Sequence, residues 1–321
     1  MNRGDGHGPL TDGLGRRIDY LRLSVTDLCN LRCHYCMPTQ GVVMLRHEDV
    51  LRHEETAEIV RAAARVGIRK VRVTGGEPLV KRGLLGLLRE IAATPGVEIL
   101  ALTTNGTRLA EMAASLREAG IDRINVSLDS LDRDRYASIT RGGDLAAVLE
   151  GIDRAVEVGF PLRINTVLLA GENTGEIGAL VDFARDRGIG LRFIERMGFE
   201  RHLVIFSQDE ALAALGRDRA IEPLPADPGS PHVRRFAVDG VEVGFISPVT
   251  HSFCSGCNKL RLSANGRLRA CLAAEDSVDL RAVIRRPHTE RELADAFRRA
   301  ARLKPAAAPW SARGEMWKVG G

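Results

Sequence analysis

Along the chain from Asp19 to Glu195, short runs rich in Val, Ile and Leu give way to longer stretches with apolar residues at three- and four-residue steps. The first kind predicts strands: YLRLSV (20–25), KVRVTG (70–75), EILALTT (98–104), RINVSLD (123–129), RINTVLL (163–169) and LRFIER (191–196). The second predicts amphipathic helices, as in ETAEIVRAAARVG (55–67), LLGLLREIAA (84–93), AEMAASLREAG (110–120) and AAVLEGIDRAVEVG (146–159). Strands alternating with such helices indicate βαβ units and a parallel sheet. About six units fall short of the eight of a complete barrel. The fold class expected is therefore α/β, a partial (βα)6 TIM-like barrel, with a doubly wound sheet as its competitor.

After the last unit the pattern changes. Residues 216–235 are rich in Pro, Gly and charge and read as a linker. RFAVDGVEVGFISPV resembles a hairpin turning at Asp239-Gly240. A helical pattern then covers 281–302, and the tail from Pro305 to Gly320-Gly321 has no periodicity. The organisation expected is a flexible arm over 1–18, a barrel over 19–215, and a linker with a C-terminal module over 216–321.

Composition narrows the function classes. The apolar fraction of 44% in 321 residues suits a globular chain with a sizeable core, and a net charge of +4 does not argue for nucleic acid. The first sixteen residues lack the apolar stretch of a signal peptide, and no run approaches the roughly 18 apolar residues of a membrane span. The cytoplasm is the expected location.

The six cysteines change the picture more than composition does. Cys29, Cys33 and Cys36 form one triad, Cys254, Cys257 and Cys271 another, and none is left over. Such spacing without secretory features points to metal rather than disulfides. A four-iron cluster takes one protein ligand per iron, so three thiolates leave one iron open to a small molecule. A zinc knot completed by His34 or His47 is the alternative for the first triad. Position adds to this: the first triad follows strand one, Gly75-Gly76-Glu77-Pro78 strand two, Thr103-Thr104-Asn105-Gly106 strand three and Ser127-Leu128-Asp129-Ser130 strand four. Arg192 lies in strand six, with Met197 just beyond. The C-terminal edge of a parallel sheet is where ligands bind.

CNLRCHYCM, placed after the first strand, and GGEP resemble the radical S-adenosylmethionine superfamily. With FCSGCNKLRLSANGRLRACL (253–272) and the terminal glycine pair, the chain resembles one family within it, the GTP 3′,8-cyclases of molybdenum cofactor biosynthesis, from about Tyr20 to Gly321. The resemblance implies a lyase with two [4Fe-4S] clusters, one on Cys29, Cys33 and Cys36 and one on Cys254, Cys257 and Cys271. It implies S-adenosylmethionine held by Tyr35, Gly76, Ser127 and Met197, with Glu77 and Arg192 added. It implies GTP held by Arg22, Arg72, Thr103, Arg163 and Lys259-Leu260-Arg261, and a tail, Gly320-Gly321, that enters the active site. The catalytic set implied is Arg22, Lys259, Arg261, Gly320 and Gly321. Position 163 is Arg where the family generally has Lys, and 259 is Lys where it often has Arg; charge is kept and donor geometry changes.

The reaction implied converts GTP to (8S)-3′,8-cyclo-7,8-dihydroguanosine 5′-triphosphate. Family habit adds a homodimer, a transient electron donor and handover to the next enzyme of the pathway. The runner-up is a radical enzyme that modifies a peptide and carries an auxiliary cluster, although such proteins usually hold more cysteines in their C-terminal module.

Overall fold

The computed structural model describes residues 9–38, 40, 42–197 and 204–310. The strands are β1 (Tyr20–Ser24), β2 (Lys70–Thr74), β3 (Ile99–Thr104), β4 (Arg123–Ser127), β5 (Leu162–Leu168), β6 (Gly190–Glu195), β7 (Ile221–Leu224), β8 (Arg234–Val238), β9 (Val241–Ile246), β10 (Lys259–Leu262), β11 (Arg267–Arg269) and β12 (Ser277–Asp279). The helices are α1 (His53–Arg65), α2 (Leu84–Ala92), α3 (Leu109–Glu118), α4 (Arg133–Thr140), α5 (Leu145–Glu157), α6 (Ile177–Asp186), α7 (Gln208–Leu215), α8 (Leu280–Ile284) and α9 (Glu290–Arg302).

All twelve strands form one sheet in the order β12-β11-β10-β1-β2-β3-β4-β5-β6-β9-β8-β7. Strands β1 to β6 are parallel neighbours in sequence order, with β9 parallel to β6 and β10 parallel to β1. Ile246 of β9 and Lys259 and Arg261 of β10 line the same cavity, so the sheet curls until its two halves face each other. No pairing among the described residues closes it. The result is the partial barrel that six βα units predict.

Alternation along each strand sorts the side chains. Leu21, Leu23, Val71, Val73, Leu102, Ile124, Val126, Ile164, Leu191 and Phe193 are buried and join the helices in the core. The residues between them, Tyr20, Arg22, Arg72, Thr103, Asn125, Arg163 and Arg192, face the cavity instead. The barrel thus has its apolar core outside the sheet and a polar interior, unlike a barrel packed by branched side chains.

Three segments differ from the sequence expectations. Residues 9–18 are not a loose arm: Leu10 and Ile18 are buried, Thr11 bridges Arg17, and Arg16 reaches the second cysteine triad. Isolated apolar residues give no periodic signal, so their burial is invisible in the sequence. The stretch read as a linker contains β7, where Pro223 fits because β7 is the last strand of the sheet. The pattern over 281–302 is two helices, broken at Pro287, with Thr289 capping α9 through its hydrogen bond from the Glu292 N–H. The hairpin turns at Asp239 and Gly240, both at positive φ (48° and 81°), as its two-residue loop requires.

Candidate active site between two cysteine triads

The loop after β1 carries the first triad, and backbone contacts shape it. Cys36 N–H and Met37 N–H both donate to the Cys33 carbonyl, at 3.0 and 2.9 Å, making a single tight turn. Arg32 N–H and His34 N–H donate to the carbonyls of Thr140 and Ile139, which fastens the loop to the end of α4. Leu31 N–H donates to Cys29 Sγ at 3.4 Å. Burial first, with Asp129 and the neighbouring thiols adding, pushes the Cys33 thiol far up. Burial and Cys29 push Cys36 up to about 11. Bound metal is what would draw such thiols into the thiolate form.

The Gly75-Gly76-Glu77-Pro78 segment after β2 braces that loop. Gly76 N–H donates to Thr26 O at 2.8 Å and Glu77 N–H to Leu28 O at 2.7 Å. A Cβ on Gly76 would sit 2.3 Å from the Leu28 carbonyl oxygen, so only glycine permits this approach. The Glu77 carboxylate is buried; Oε1 accepts from Leu79 N–H (2.9 Å) and Thr104 Oγ1 (2.7 Å), and Oε2 from Asn105 N–H (2.6 Å). Burial outweighs these bonds and brings its carboxyl up to about 7. Glu77 therefore ties the ends of β2 and β3 together. Across the cavity Tyr35 donates from its hydroxyl to Asp129 Oδ2 at 2.7 Å, and Asp129 Oδ1 accepts from Val167 N–H at 2.9 Å.

The second triad flanks β10 and β11. Cys254 and Cys257 belong to a short turn before β10, where Cys257 N–H donates to Cys254 O at 3.1 Å, and Cys271 follows β11. Ala308 N–H donates to Cys254 Sγ at 3.3 Å. Burial opposes ionisation of Cys257, but Lys304 and Lys259 overcome it and hold the thiol below its usual value. All six cysteines are unpaired and half-buried, and the two triads line one cavity of about 330 Å3. Among the described residues no three His, Cys, Asp or Glu side chains converge on a point, as the ligands of a single ion would. Each triad offers three thiols, and a cuboidal cluster takes one protein ligand per iron. His34 does not face the triad: its Nε2 lies 2.9 Å from Glu172 Oε2.

Between the triads the cavity wall is cationic. Arg22, Lys70, Arg72, Arg123, Arg163, Arg192, Lys259 and Arg261 all line it. Arg72 donates from Nε to Tyr20 Oη (2.8 Å) and from Nη1 to Leu102 O (2.9 Å), and Lys70 Nζ lies 4.5 Å from the Tyr20 ring centre. Burial, together with Arg261, pulls Arg22 down to about 9; burial with Arg163 and Arg72 pulls Arg192 down to about 10. Burial, opposed by Cys257 and Tyr20 and aided by Arg261 and Arg22, brings Lys259 down to about 7. Burial alone would raise the Tyr20 phenol, yet Arg72, Arg22, Lys70 and Lys259 bring it to about 7. Arg261 Nη1 is buried with no hydrogen-bond partner among the described residues. So many mutually repelling cations lining one cavity suit a highly charged anion.

Of the residues expected at the site, the six cysteines, Arg22, Tyr35, Arg72, Gly76, Glu77, Thr103, Ser127, Arg163, Arg192, Met197, Lys259 and Arg261 all line this cavity. Leu260 does not; alternation turns its side chain into the core beside Leu21. Gly320 and Gly321 lie outside the described residues. The sequence reading missed Tyr20, Lys70, Arg123, Asn125, Asn165 and His232, which also line the wall. For the strand residues the signal was the polar residue at every second position, as in KVRVT and RINVS; His232, in the turn before β8, carries no such signal.

Comparison with known proteins agrees with this geometry. Residues 23–184 match the radical SAM superfamily and residues 189–310 match Molybdenum Cofactor Synthesis C. The chain is 44% identical to the GTP 3′,8-cyclase of Marinobacter nauticus, over 96% of this chain and 95% of that one. It is 45% identical to GTP 3′,8-cyclase 1 of Pseudomonas aeruginosa, over 95% of each chain. To the GTP 3′,8-cyclase of Moorella thermoacetica it is 43% identical, over 92% of this chain and 94% of that one. Among solved structures, Streptococcus suis SuiB bound to S-adenosylmethionine superposes with a TM-score of 0.58 at 17% identity, covering 82% of this chain and 63% of that one. The anSMEcpe protein with bound AdoMet gives 0.58 at 14% identity, covering 87% and 81%. These two likenesses concern the fold alone.

Proposed function

Because the chain belongs to the GTP 3′,8-cyclase family of the radical SAM superfamily, we propose that it cyclises GTP to (8S)-3′,8-cyclo-7,8-dihydroguanosine 5′-triphosphate, the first step of molybdenum cofactor biosynthesis, inside the cavity between its two triads. The observation that carries this is the shared cavity: an open-iron donor set at each end and eight cations between.

The first triad, Cys29, Cys33 and Cys36, would hold a [4Fe-4S] cluster with S-adenosylmethionine beside Tyr35, Gly76, Ser127, Arg192 and Met197. Together that cluster and cofactor supply one-electron cleavage of a sulfonium bond and so a 5′-deoxyadenosyl radical. The chain's own residues do the rest. Arg72, Arg163 and their neighbours along the barrel wall neutralise a triphosphate of up to four negative charges through charge-assisted hydrogen bonds. Glu77 ties the loop after β2 to the end of β3, and Asp129 ties the loop after β4 to Tyr35 of the cysteine loop. The second triad, Cys254, Cys257 and Cys271, would carry a second cluster facing the guanine, with Lys259 and Arg261 alongside. Fixing both ends of the nucleotide sets the ribose 3′ carbon against the radical source, which is catalysis by positioning. Gly320-Gly321 would complete the site from the tail. A homodimer in the cytoplasm, reduced by a transient electron donor and passing product to the next enzyme, belongs to the same proposal.

Anaerobic reconstitution tests it. About eight irons per chain and GTP-dependent consumption of S-adenosylmethionine are expected, since each triad takes a four-iron cluster. About four irons, or zinc in their place, would overturn the two-cluster reading. Consumption driven by a peptide instead of GTP would favour the runner-up.

A further inference from the structure

The second triad is tied down by a lysine that lies outside both cysteine motifs. Lys304 follows α9, and its side chain is buried. Its ammonium donates to the carbonyl of Lys259 at 2.8 Å and to that of Ala270 at 2.8 Å. Lys259 stands two residues after Cys257, and Ala270 immediately precedes Cys271. One ammonium therefore clamps the two strand ends that present these cysteines. An ammonium has three donors, and its charge also reaches the Cys257 sulfur.

Arg16 completes the clamp from the other end of the chain. Its Nη1 donates to the Cys254 carbonyl at 2.7 Å and its Nη2 to the Pro305 carbonyl at 2.8 Å. Asp12 fixes the guanidinium, with Nε 2.5 Å from Oδ2. Every cysteine of the second triad is thus within two residues of a carbonyl held by Lys304 or Arg16.

The two cations are compensated differently. Arg16 has Asp12. The two bonds that hold the Lys304 ammonium go to neutral carbonyls, which are weak compensation for a buried charge. A cluster on three thiolates supplies the negative charge that would balance it. We propose that Lys304 is a positioning residue for the second triad, fixing the spacing of Cys257 and Cys271 and placing a positive charge beside the iron–sulfur cluster they carry. The proposal rests on reading that triad as a cluster site. A cation so placed favours the reduced, more negative cluster and raises its reduction potential, a lever available through charge and hydrogen bonding near the sulfurs.

The test is anaerobic reconstitution of the full chain with iron and sulfide, followed by iron counting and a redox titration monitored by electron paramagnetic resonance. The native chain is expected to hold about eight irons; about four would sink the cluster reading itself, separately from this proposal. Lys304→Met is expected to lose about half the iron or, where the second cluster persists, to shift its potential to a more negative value, with the first cluster's signal unchanged. Lys304→Gln keeps donors without charge and is expected to retain iron while showing the potential shift. Lys304→Arg is expected to restore both. Full iron with an unshifted second-cluster potential in Lys304→Met and Lys304→Gln would overturn the proposal. Should those variants fail to fold, Arg16→Gln, which frees only one end of the clamp, is expected to perturb the second cluster's signal alone; an unaltered signal there would overturn it equally.

Discussion

At the scale of single residues, two positions carry distinct tests. Arg261 has a buried Nη1 with no hydrogen-bond partner among the described residues, a donor left over for the proposed ligand. Arg261→Met is expected to weaken GTP binding by roughly 10- to 100-fold, the loss of one or two charge-assisted hydrogen bonds. Thermal stability without ligand should be unchanged or higher. Calorimetric titration with GTP and a melting curve check both; lower stability with unaltered binding would make Arg261 a structural cation. Gly76→Ala places a methyl group 2.3 Å from the Leu28 carbonyl oxygen, which displaces the first cysteine loop. Loss of the first cluster and of S-adenosylmethionine cleavage is expected, measured as iron per chain and 5′-deoxyadenosine formed. The cysteines were legible because their spacing is chemically unusual. Tyr20, Lys70, Asn125 and Asn165 were harder, because one polar residue in a strand looks like a solvated face until curvature makes that face an interior.

At the scale of elements, α1 and α8 are joined by a charge pair that reports on docking of the C-terminal segment. Glu55 accepts from Arg285 Nε at 2.8 Å and Nη2 at 3.0 Å, with Arg52 adding a third contact. Burial would raise the Glu55 carboxyl, but Arg285 and Arg52 outweigh it and hold it at about 2 against an ordinary 4.5. A depressed carboxyl contributes stability that is present above its unfolded value and lost as pH falls through its folded value. Glu55→Gln is therefore expected to cost about 2 to 3 kcal/mol at pH 7. That gap should close as pH falls from about 4.5 towards 2, read by denaturant unfolding of native and variant chains at each pH. A gap independent of pH would mean that shape rather than charge holds the contact. Element existence was readable wherever periodicity was long, as in α1 and α5. It failed at β7, a four-residue edge strand containing Pro223, and at Pro287, where one apparent helix is two.

At the scale of the whole molecule, the sequence reveals six βα units but not how the chain closes on itself. β10 pairs with β1 across more than two hundred residues, in the register Arg22 beside Arg261, and no local pattern encodes that pairing. It is this return of the chain that sets the second triad opposite the first and makes one cavity of two cysteine motifs. Deleting Gly320-Gly321 is expected to abolish cyclisation with the iron content unaltered; retained activity would remove the tail from the site. The central claim is that the wall of cations and the two triads together hold a nucleoside triphosphate with its ribose against the radical source. The most direct measurement uses GTP deuterated at C3′ with the anaerobically reconstituted protein, S-adenosylmethionine and a reductant. One deuterium is predicted in the 5′-deoxyadenosine, alongside the cyclised nucleotide. Unlabelled 5′-deoxyadenosine with GTP unconverted would contradict the account.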